Sequence, residues 1–361
     1  MRTRAVAALI VVLALAAGCS GDPEPASTVA ATSASATPTQ TPTPDVVVEG
    51  ADEQLTAAVA EVYEGKTGIT AEAHLGTWKK EKVAVVTSGD DVTLAVGPTW
   101  KVVGGWWPSL DKEPQLGKGP RFVLVIGSDA RSDESLEGTR GDTLQIIGVD
   151  GKGGGGVMGL ARDIWAPMPG GGKAKLNAAF AFGGGKGQVS SVKEVTGLPI
   201  EGYVVTGFKG FKAIVKGNDG VPMDIAKTLV FLKKQTIKKG KRTLDAKTAL
   251  RYVRERKSLP DGDFGRSYNQ GDMLLQAAVA ARISGVDILA KEMTLVSKNA
   301  ESDMSAEDVL TFVASFYKLD PGKVGHEVAK GGFGTSSDGQ SIVVLDADSK
   351  ANFRKFRDGR L

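Results

Sequence analysis

Three neighbouring segments decide the fold: FVLVIGSDAR at 122–131, RGDTLQIIGV at 140–149 and VMGLARD at 157–163. Each contains a short continuous apolar run, which is typical of a strand buried on both faces. We take the three strands to be consecutive antiparallel neighbours. The end of the first strand, the start of the second and the end of the third then meet at one edge of the sheet.

Charged residues stand at that edge in all three segments. Asp129 follows the first strand, Arg140 and Asp142 open the second, and Arg162 follows the third. Two carboxylates placed together repel each other unless a proton or a cation lies between them. Carboxylate pairs usually hold Mg²⁺ together with phosphate oxygens, and guanidinium groups bind the same oxygens through paired hydrogen bonds. The pattern predicts a diphosphate site with a metal on one side and arginines on the other.

A second group of basic residues lies further along the chain. It comprises RYVRER at 251–256, DFGR at 263–266 and Gln270. If the chain is extended after Tyr252, Arg254 and Arg256 point the same way and Arg251 points away, because side chains alternate along a strand. Spacing alone leaves two interpretations open: a phosphate-binding cluster and a solvated basic face.

The remaining patterns predict an α/β fold. Apolar residues recur at helical spacing around 208–215, 273–283 and 306–317, and 341–345 has the pattern of a strand. Strands mixed with helices throughout predict a central mixed β-sheet that is covered by helices on both faces. The composition, 41% hydrophobic and 24% charged, is that of an ordinary globular protein.

Composition also excludes several classes of function. The net charge of +3 indicates no nucleic-acid partner. One cysteine and two histidines, His74 and His326, rule out a disulfide framework and make a zinc site a poor fit. The glycine-rich segments do not match a nucleotide-binding loop. Any metal should therefore be a hard ion held by carboxylates.

The first 45 residues predict export and anchoring. Arg2 and Arg4 precede an apolar run at 5–17, and Ala-Ala-Gly-Cys19 follows, which resembles a bacterial lipobox. We predict a signal peptide at 1–18, lipidation of Cys19 and attachment to the extracytoplasmic face of the cell membrane. The alternative is an ordinary or uncleaved signal with an incidental cysteine. Residues 19–45, rich in Ser, Thr, Pro and Ala, predict a disordered tether.

A small accessory region is predicted at 46–118. It contains a helical pattern at 55–63, two strands at 82–87 and 92–96, and four tryptophans: Trp78, Trp100, Trp106 and Trp107. Two interpretations of these tryptophans are open. They could stack on sugars, or they could pack in a core or an interface, which is the commoner role of such residues.

Taken together, the motifs resemble those of the LytR-CpsA-Psr family. Six fragments match in order and spacing, at 122–131, 140–143, 161–163, 175–179, 252–256 and 262–266. The resemblance covers a motif core at 120–285 within a predicted catalytic domain at 119–361. It implies a LytR-CpsA-Psr-like fold and a Mg²⁺-dependent phosphotransferase, with Mn²⁺ as the alternative ion. Such an enzyme moves a glycopolymer from a polyprenyl-pyrophosphate carrier to a peptidoglycan acceptor in the cell wall.

The resemblance also implies roles for single residues. Asp129 and Asp142 match the metal-binding carboxylates, and Asp129 and Arg162 are the implied catalytic residues. The implied pyrophosphate contacts are Arg140, Arg162, Arg254, Arg256, Arg266 and Gln270. Some positions depart from the family pattern, among them Ala161 and Lys257, where members often have Pro and His. These changes concern donor or acceptor preference more than the chemistry.

Several assignments stay open at this point. Asp163 could act as a general base or orient Arg162. A pocket for the lipid could be lined by the helices at 207–216 and 273–283, whose apolar faces could equally be core. Two other functions remain: a non-catalytic envelope lipoprotein that binds lipid-linked intermediates, and a pyrophosphatase that acts on polyprenyl diphosphates.

Overall fold

A computed structural model of the chain describes residues 45–131, 134–231 and 235–361. Cys19, the predicted signal peptide and all of the predicted tether except Asp45 lie outside these residues, so the anchoring remains a prediction. Within the described ranges, no single helix has the length and hydropathy of a membrane span. One consecutive pair, Asp263–Ser284 and Val286–Ser297, meets both criteria together, with a bend of 109° between the two helices.

The described residues form eight α-helices. These are α1 (Glu53–Val62), α2 (Ala178–Thr196), α3 (Phe208–Gly217), α4 (Ala246–Arg254), α5 (Gly262–Ser284), α6 (Leu289–Ser297), α7 (Ala306–Ser315) and α8 (Ala347–Lys355). Several begin at residues that cap the first turn: the side chains of Asp52, Asp245 and Ser305 accept backbone hydrogen bonds from α1, α4 and α7. Such caps satisfy backbone groups that the helix itself leaves unpaired.

The strands form two larger sheets and four short hairpin-like pairs. The N-terminal sheet contains β1 (Val46–Glu49), β2 (Ile69–Trp78), β3 (Glu81–Ser88), β4 (Asp91–Val96), β5 (Lys101–Trp107) and β6 (Lys112–Gln115). The central sheet contains β7 (Arg121–Ser128), β8 (Gly141–Val149), β9 (Gly155–Leu160), β12 (Gly202–Thr206), β17 (Glu301–Ser302) and β18 (Val324–Ala329). The pairs are β10 (Trp165–Pro167) with β11 (Lys173–Lys175), β13 (Val221–Ile225) with β16 (Gly240–Leu244), β14 (Leu229–Val230) with β15 (Thr236–Ile237), and β19 (Gly331–Thr335) with β20 (Ser341–Leu345).

The central sheet has the order β17-β12-β7-β8-β9-β18. β7, β8 and β9 are consecutive antiparallel neighbours, which confirms the arrangement predicted from the three apolar segments. β12 and β18 join in parallel to β7 and β9, so the sheet is mixed. The pairing of Ser128 with Gly141 brings the end of β7 beside the start of β8.

Both faces of this sheet are buried. Phe122, Leu124 and Ile146 face a core that includes residues of α2 and α8, while Val123 and Val149 face a core that includes α6 and α7. Burying one such side chain stabilises the fold by about 1.5–3 kcal/mol. Because strands covered on both sides need apolar residues at every position, this packing explains their continuous apolar runs. The prediction of a mixed sheet covered by helices on both faces is confirmed.

The residues of the predicted accessory region form the N-terminal sheet and α1. One face of the sheet packs on α1, and the other packs on α6 and α7 and shares a core with the central sheet. The approach is close: a Cβ atom at Gly76 would overlap the backbone oxygen of Ala290 on α6. All four tryptophans are buried, none more than 7% exposed, which confirms that they pack.

The expectation of an extended chain after Tyr252 was wrong. The helix α4 continues to Arg254, and only Glu255 adopts an extended conformation. Ala249, Tyr252 and Val253 are buried at helical spacing. This periodic apolar face, together with the cap at the start of the helix, outweighs the strand preference of the β-branched valine.

Candidate active site

A cavity of about 350 Å³ lies at the edge where β7 ends and β8 begins. Its walls come from these strand ends, the segment after β9, and the helices α3, α4 and α5. The lining residues are Gly127, Ser128, Asp129, Arg131, Asp142, Thr143, Arg162, Thr206, Gly207, Phe208, Phe211, Leu250, Val253, Arg254, Arg256, Arg266 and Gln270. Ligand sites at strand ends are common in α/β sheets.

The charges on this lining favour an anion. Five arginines line the cavity against two aspartates, which gives a formal net charge of +3. The chain as a whole also carries only +3 across 361 residues, so the positive charge is locally concentrated. Guanidinium groups present planar pairs of donors that match phosphate oxygens.

Asp129 is held in place by the backbone of the loop that joins β7 to β8. Its Oδ1 accepts a hydrogen bond from Arg140 N at 2.8 Å, and its own backbone N donates to Arg140 O at 3.0 Å. These bonds close the loop at its base. They fix the carboxylate at the cavity wall, where the sequence predicts it.

Asp142 is more strongly engaged. Its Oδ2 accepts a hydrogen bond from Arg162 Nη1 at 2.5 Å, and its Oδ1 accepts one from Asn177 Nδ2 at 2.9 Å. The Asp142 carboxylate is therefore oriented from both sides, and it brings Arg162 directly to the cavity.

Arg162 lies among three carboxylates. Its Nε is 3.8 Å from both Asp163 and Asp263, beyond its shorter contact with Asp142. Burial acts to lower the pKa of Arg162, but the charges of Asp142, Asp263 and Asp163 raise it overall. Arg162 therefore stays cationic. Asp163 also pairs with Lys175 at 3.1 Å and is not among the lining residues, which favours an orienting role over that of a general base.

Arg266 approaches the same group from α5. It is 7% exposed. Its Nη2 lies 2.7 Å from Asp263 Oδ1, and the two groups form an ion pair whose geometry is not that of a hydrogen bond. Burial lowers the pKa of Arg266 despite the opposing charge of Asp263. The helix can come this near the sheet because Gly159 has no side chain: a Cβ atom there would be 2.5 Å from Ser267 Oγ.

Arg254 and Arg256 both line the cavity, as the sequence predicts, although a helix end rather than a strand delivers them. The guanidinium of Arg254 lies 4.3 Å from the centre of the Phe208 ring, a cation–π contact. Arg251 lies over Phe231 instead, at 5.8 Å, and does not line the cavity. Arg251 therefore lies away from the cavity as predicted, although the strand alternation on which that prediction rested does not apply in a helix.

Two of the predicted pyrophosphate contacts, Arg140 and Gln270, are placed differently from the rest. Arg140 is exposed and absent from the lining, although its backbone holds Asp129. Gln270 lines the cavity, but its Nε2 donates to Val253 O at 2.9 Å and so ties α5 to α4. Both remain predicted pyrophosphate contacts.

Sequence reasoning missed three participants. Arg131 lines the cavity, Asn177 holds Asp142, and Asp263 lies between Arg162 and Arg266. A signal existed for Asp263, since an acidic residue three positions before Arg266 faces it on a helix. The apolar wall also differs from the expectation: α3 and α4 supply it, and no residue of 273–283 lines the cavity.

The residues fit a magnesium ion in their chemistry. Two carboxylates share the cavity wall, and Mg²⁺ is usually bound by one or two carboxylates, substrate phosphates and water. Within the described parts of the chain, no cluster of three or more His, Cys, Asp or Glu forms a complete protein cage for a metal. The pair Asp129 and Asp142 thus suits an ion that the substrate helps to hold.

The chain is similar to known proteins over much of its length. The model of the LytR_cpsA_psr family matches residues 100–357. One relative is TagU of Enterococcus faecalis, which is named polyisoprenyl-teichoic acid–peptidoglycan teichoic acid transferase. It is 32% identical over 267 residues, which cover 71% of this chain and 84% of TagU. A Bacillus mycoides protein of the same name is 30% identical, over 53% of this chain and 62% of its own length.

Solved structures share the fold. The structure of B. subtilis TagV is 25% identical, with a TM-score of 0.56, and the match covers 67% of this chain and 96% of TagV. A structure described as TagT bound to LIIa-WTA is 24% identical with a TM-score of 0.56, covering 69% of this chain and 94% of TagT.

Proposed function

Since the chain belongs to the LytR-CpsA-Psr family, we propose that it is a Mg²⁺-dependent glycopolymer–peptidoglycan phosphotransferase that takes its polymer from a polyprenyl-pyrophosphate carrier. Its relatives are named as transferases that join polyisoprenyl-linked teichoic acid to peptidoglycan, which supports transfer of a glycopolymer to the wall.

One observation carries the proposal: five arginines and two carboxylates line a single cavity at the edge of the central sheet. A diphosphate in this cavity would find guanidinium groups from three separate elements. Arg162 comes from the segment after β9, Arg254 from α4 and Arg266 from α5. Donors fixed in advance around the diphosphate stabilise the charge that develops during phosphoryl transfer.

The reaction we propose is a displacement at phosphorus. A sugar hydroxyl of the acceptor attacks the phosphorus that carries the glycopolymer, and the bond from this phosphorus to the bridging oxygen breaks. Polyprenyl phosphate leaves with the bridging oxygen, and the hydroxyl proton passes to the departing phosphate or to solvent. The protein residues hold the diphosphate and align it with the acceptor. Arg162 and Arg266 lie beside carboxylates that keep their guanidinium groups in place.

Asp129 and Asp142 would hold the metal. Bound there, Mg²⁺ supplies neutralisation of the negative charge on the diphosphate oxygens, and Mn²⁺ is the alternative ion. Because Asp142 also accepts from Arg162, this one carboxylate links the metal side of the cavity to the arginine side.

The apolar wall suits the start of the lipid chain. Phe208, Phe211, Leu250 and Val253 line the cavity next to the arginines. A carrier lipid has an apolar chain directly after its diphosphate, so it needs both surfaces side by side. We further propose that Cys19 carries a lipid anchor that keeps the enzyme at the extracytoplasmic face of the membrane.

The test is the release of polyprenyl phosphate from a lipid-diphosphate-linked sugar, measured with and without peptidoglycan. Acceptor-dependent release that EDTA abolishes is the expected result. Equal release without any acceptor would identify a pyrophosphatase instead. Tight binding with no release under any condition would identify a non-catalytic binding protein.

A further inference from the structure

The positive charge of the chain is concentrated in one segment outside the cavity arginines. Residues 209–247 contain ten lysines, one arginine and three aspartates, which gives a formal net charge of +8 in 39 residues. The whole chain carries +3, so the remainder carries a net charge of −5. Arg254, Arg256 and Arg266 all lie beyond this segment. The excess charge of this segment is therefore additional to that of the cavity arginines.

This segment is folded where the structure describes it, at 209–231 and 235–247. It contains most of α3 and the strands β13 to β16. Val215, Val221, Ile225 and Leu229 are buried in a core that they share with α4 and α5. The cations are thus displayed on a structured surface. We call the described part of 209–247 the basic subdomain.

Five lysines of the basic subdomain point into solvent. Lys216, Lys227, Lys238, Lys239 and Lys241 are exposed. In the described ranges, no ion pair involves any of these five residues. Unneutralised charge at this density repels itself, so it favours an anionic partner.

An apolar side chain lies among these cations. Val230 on β14 is 55% exposed, and β15, to which it pairs, leads directly into Lys238 and Lys239. Lysines that surround an exposed apolar residue are typical of surfaces that rest on a bilayer, where the ammonium groups reach headgroups and the apolar side chain enters the acyl boundary.

The basic subdomain also contributes Phe211 to the apolar wall of the cavity. Phe211 and Leu250 pack against its core and line the cavity as well. This step rests on the proposed function: a carrier lipid enters from the membrane, so the apolar wall that receives it should face the membrane.

We propose that the basic subdomain is a docking surface for an anionic lipid bilayer and turns the apolar wall of the cavity toward it. The ten lysines against one arginine favour this partner over a phosphate polymer. Specific recognition of phosphate groups commonly uses the two-pronged arginine, whereas attraction to a charged membrane needs only many cations near its surface.

The experiment measures vesicle flotation of the full chain carrying Cys19→Ala, which removes the predicted acylation site. The test variant combines Lys238→Glu, Lys239→Glu and Lys241→Glu. The matched control combines Lys66→Glu, Lys80→Glu and Lys350→Glu, three exposed lysines elsewhere that change the net charge equally. A third variant with glutamine at 238, 239 and 241 removes charge without reversing it, and thermal melts verify that each protein is folded.

We expect the parent and the control to bind vesicles in which phosphatidylglycerol replaces about one third of the phosphatidylcholine, and to be released between about 0.1 M and 1 M salt. Because each lysine near an anionic surface strengthens binding about fivefold, the glutamine variant, which loses three positive charges, should bind about a hundredfold more weakly. The glutamate variant, which also adds three negative charges, should bind more weakly still. Equal binding by test and control variants, or equal binding to pure phosphatidylcholine, would overturn the proposal.

Two further arms separate the alternatives. If soluble poly(glycerol phosphate) binding depends on the three lysines while vesicle binding does not, the partner is a polymer and the proposal is wrong. On carrier lipid embedded in vesicles, the glutamate variant should release polyprenyl phosphate more slowly, with unchanged release from a short-chain soluble analogue. A parent that binds vesicles but never releases polyprenyl phosphate would contradict the proposed function and leave the docking surface supported.

Discussion

The N-terminal sheet and the cavity differ in whether their buried polar atoms have hydrogen-bond partners. In the sheet, the indole nitrogens of Trp78, Trp100 and Trp107 each donate a hydrogen bond, at 2.8 to 3.1 Å. Around the cavity, the buried Nε atoms of Arg162 and Arg266 have no hydrogen-bond partner among the described residues. The indole nitrogens are thus paired within the protein, whereas these two arginine Nε atoms are not hydrogen-bonded within its described part.

The difference separates packing from binding. Leaving a buried polar group unpaired costs about 1–3 kcal/mol, so most such groups in proteins are satisfied. Two incompletely paired guanidinium groups beside a cavity indicate a region that is built to hold charge and not only to pack. The tryptophans could form a sugar platform by sequence, but the burial of all four and the indole hydrogen bonds of three of them assign them to the core.

The strongest expected effect concerns the packing side of this comparison. Trp106→Ala should lower the free energy of unfolding by about 3–5 kcal/mol, because its ring fills the core shared by the N-terminal sheet and α7. Phe182→Ala, which removes a ring that is 66% exposed, should change it by less than about 0.5 kcal/mol. Chemical denaturation measures both. A stable Trp106→Ala protein with weakened glycan binding would show that Trp106 binds glycan and does not stabilise the core.

The next effect concerns the binding side. Arg162→Ala should lower kcat/KM for the lipid-diphosphate substrate about 100- to 1000-fold, the usual cost of removing one fixed donor at a reacting group. Arg162→Lys should restore little, because one ammonium cannot replace a guanidinium fork. Arg251→Ala, next to Phe231 and outside the cavity, is the control and should stay within about twofold. Similar losses in Arg162 and Arg251 variants would erase the distinction between the two arginines.

Glu292 is a buried polar residue in the packed region beside the N-terminal sheet, without a hydrogen-bond partner among the described residues. It predicts that the stability of the fold depends on pH. It lies on α6, 1% exposed, and in the described structure neither carboxyl oxygen has a hydrogen-bond partner. Burial raises its pKa from 4.5 to about 8. The folded state therefore holds a proton that the unfolded state releases, so stability should fall as pH rises between these two values, by at most about 1.4 kcal/mol per pH unit.

The variant Glu292→Gln cannot ionise and should flatten this part of the stability curve. Thermal melts from pH 4.5 to 8 compare the two proteins. The wild type should lose stability with rising pH relative to the glutamine variant. Parallel curves would mean that Glu292 does not carry the pH dependence.

The smallest expected effect concerns Asp263, which lies between two cavity arginines. Asp263→Asn should raise the KM for the lipid-diphosphate substrate about tenfold with a smaller change in kcat, because it positions donors and does not line the cavity itself. Asp263→Glu should recover part of the affinity. An unchanged KM in the asparagine variant would show that Arg162 and Arg266 need no such support.

The sequence predicted the elements that depend on local pattern. The strands β7 to β9 follow from continuous apolar runs, and Asp129, Asp142 and Arg162 follow from their places beside those strands. The α4 helix was missed because Tyr252 and Val253 suit a strand as well as a helix. The contacts of Gln270 and Asn177, and the contact of Asp263 with Arg162, depend on long-range packing, which no local spacing encodes.

The central claim is that Asp129 and Asp142 hold a magnesium ion against a diphosphate bound by arginines. Its most direct test is magnesium-dependent release of polyprenyl phosphate by the wild type and by Asp129→Asn and Asp142→Asn, which remove charge while keeping shape. The wild type should stop in EDTA and recover with Mg²⁺, and both variants should lose at least about 100-fold in rate with unchanged melting temperatures. Full release by either variant, or release that persists in EDTA, would contradict the claim.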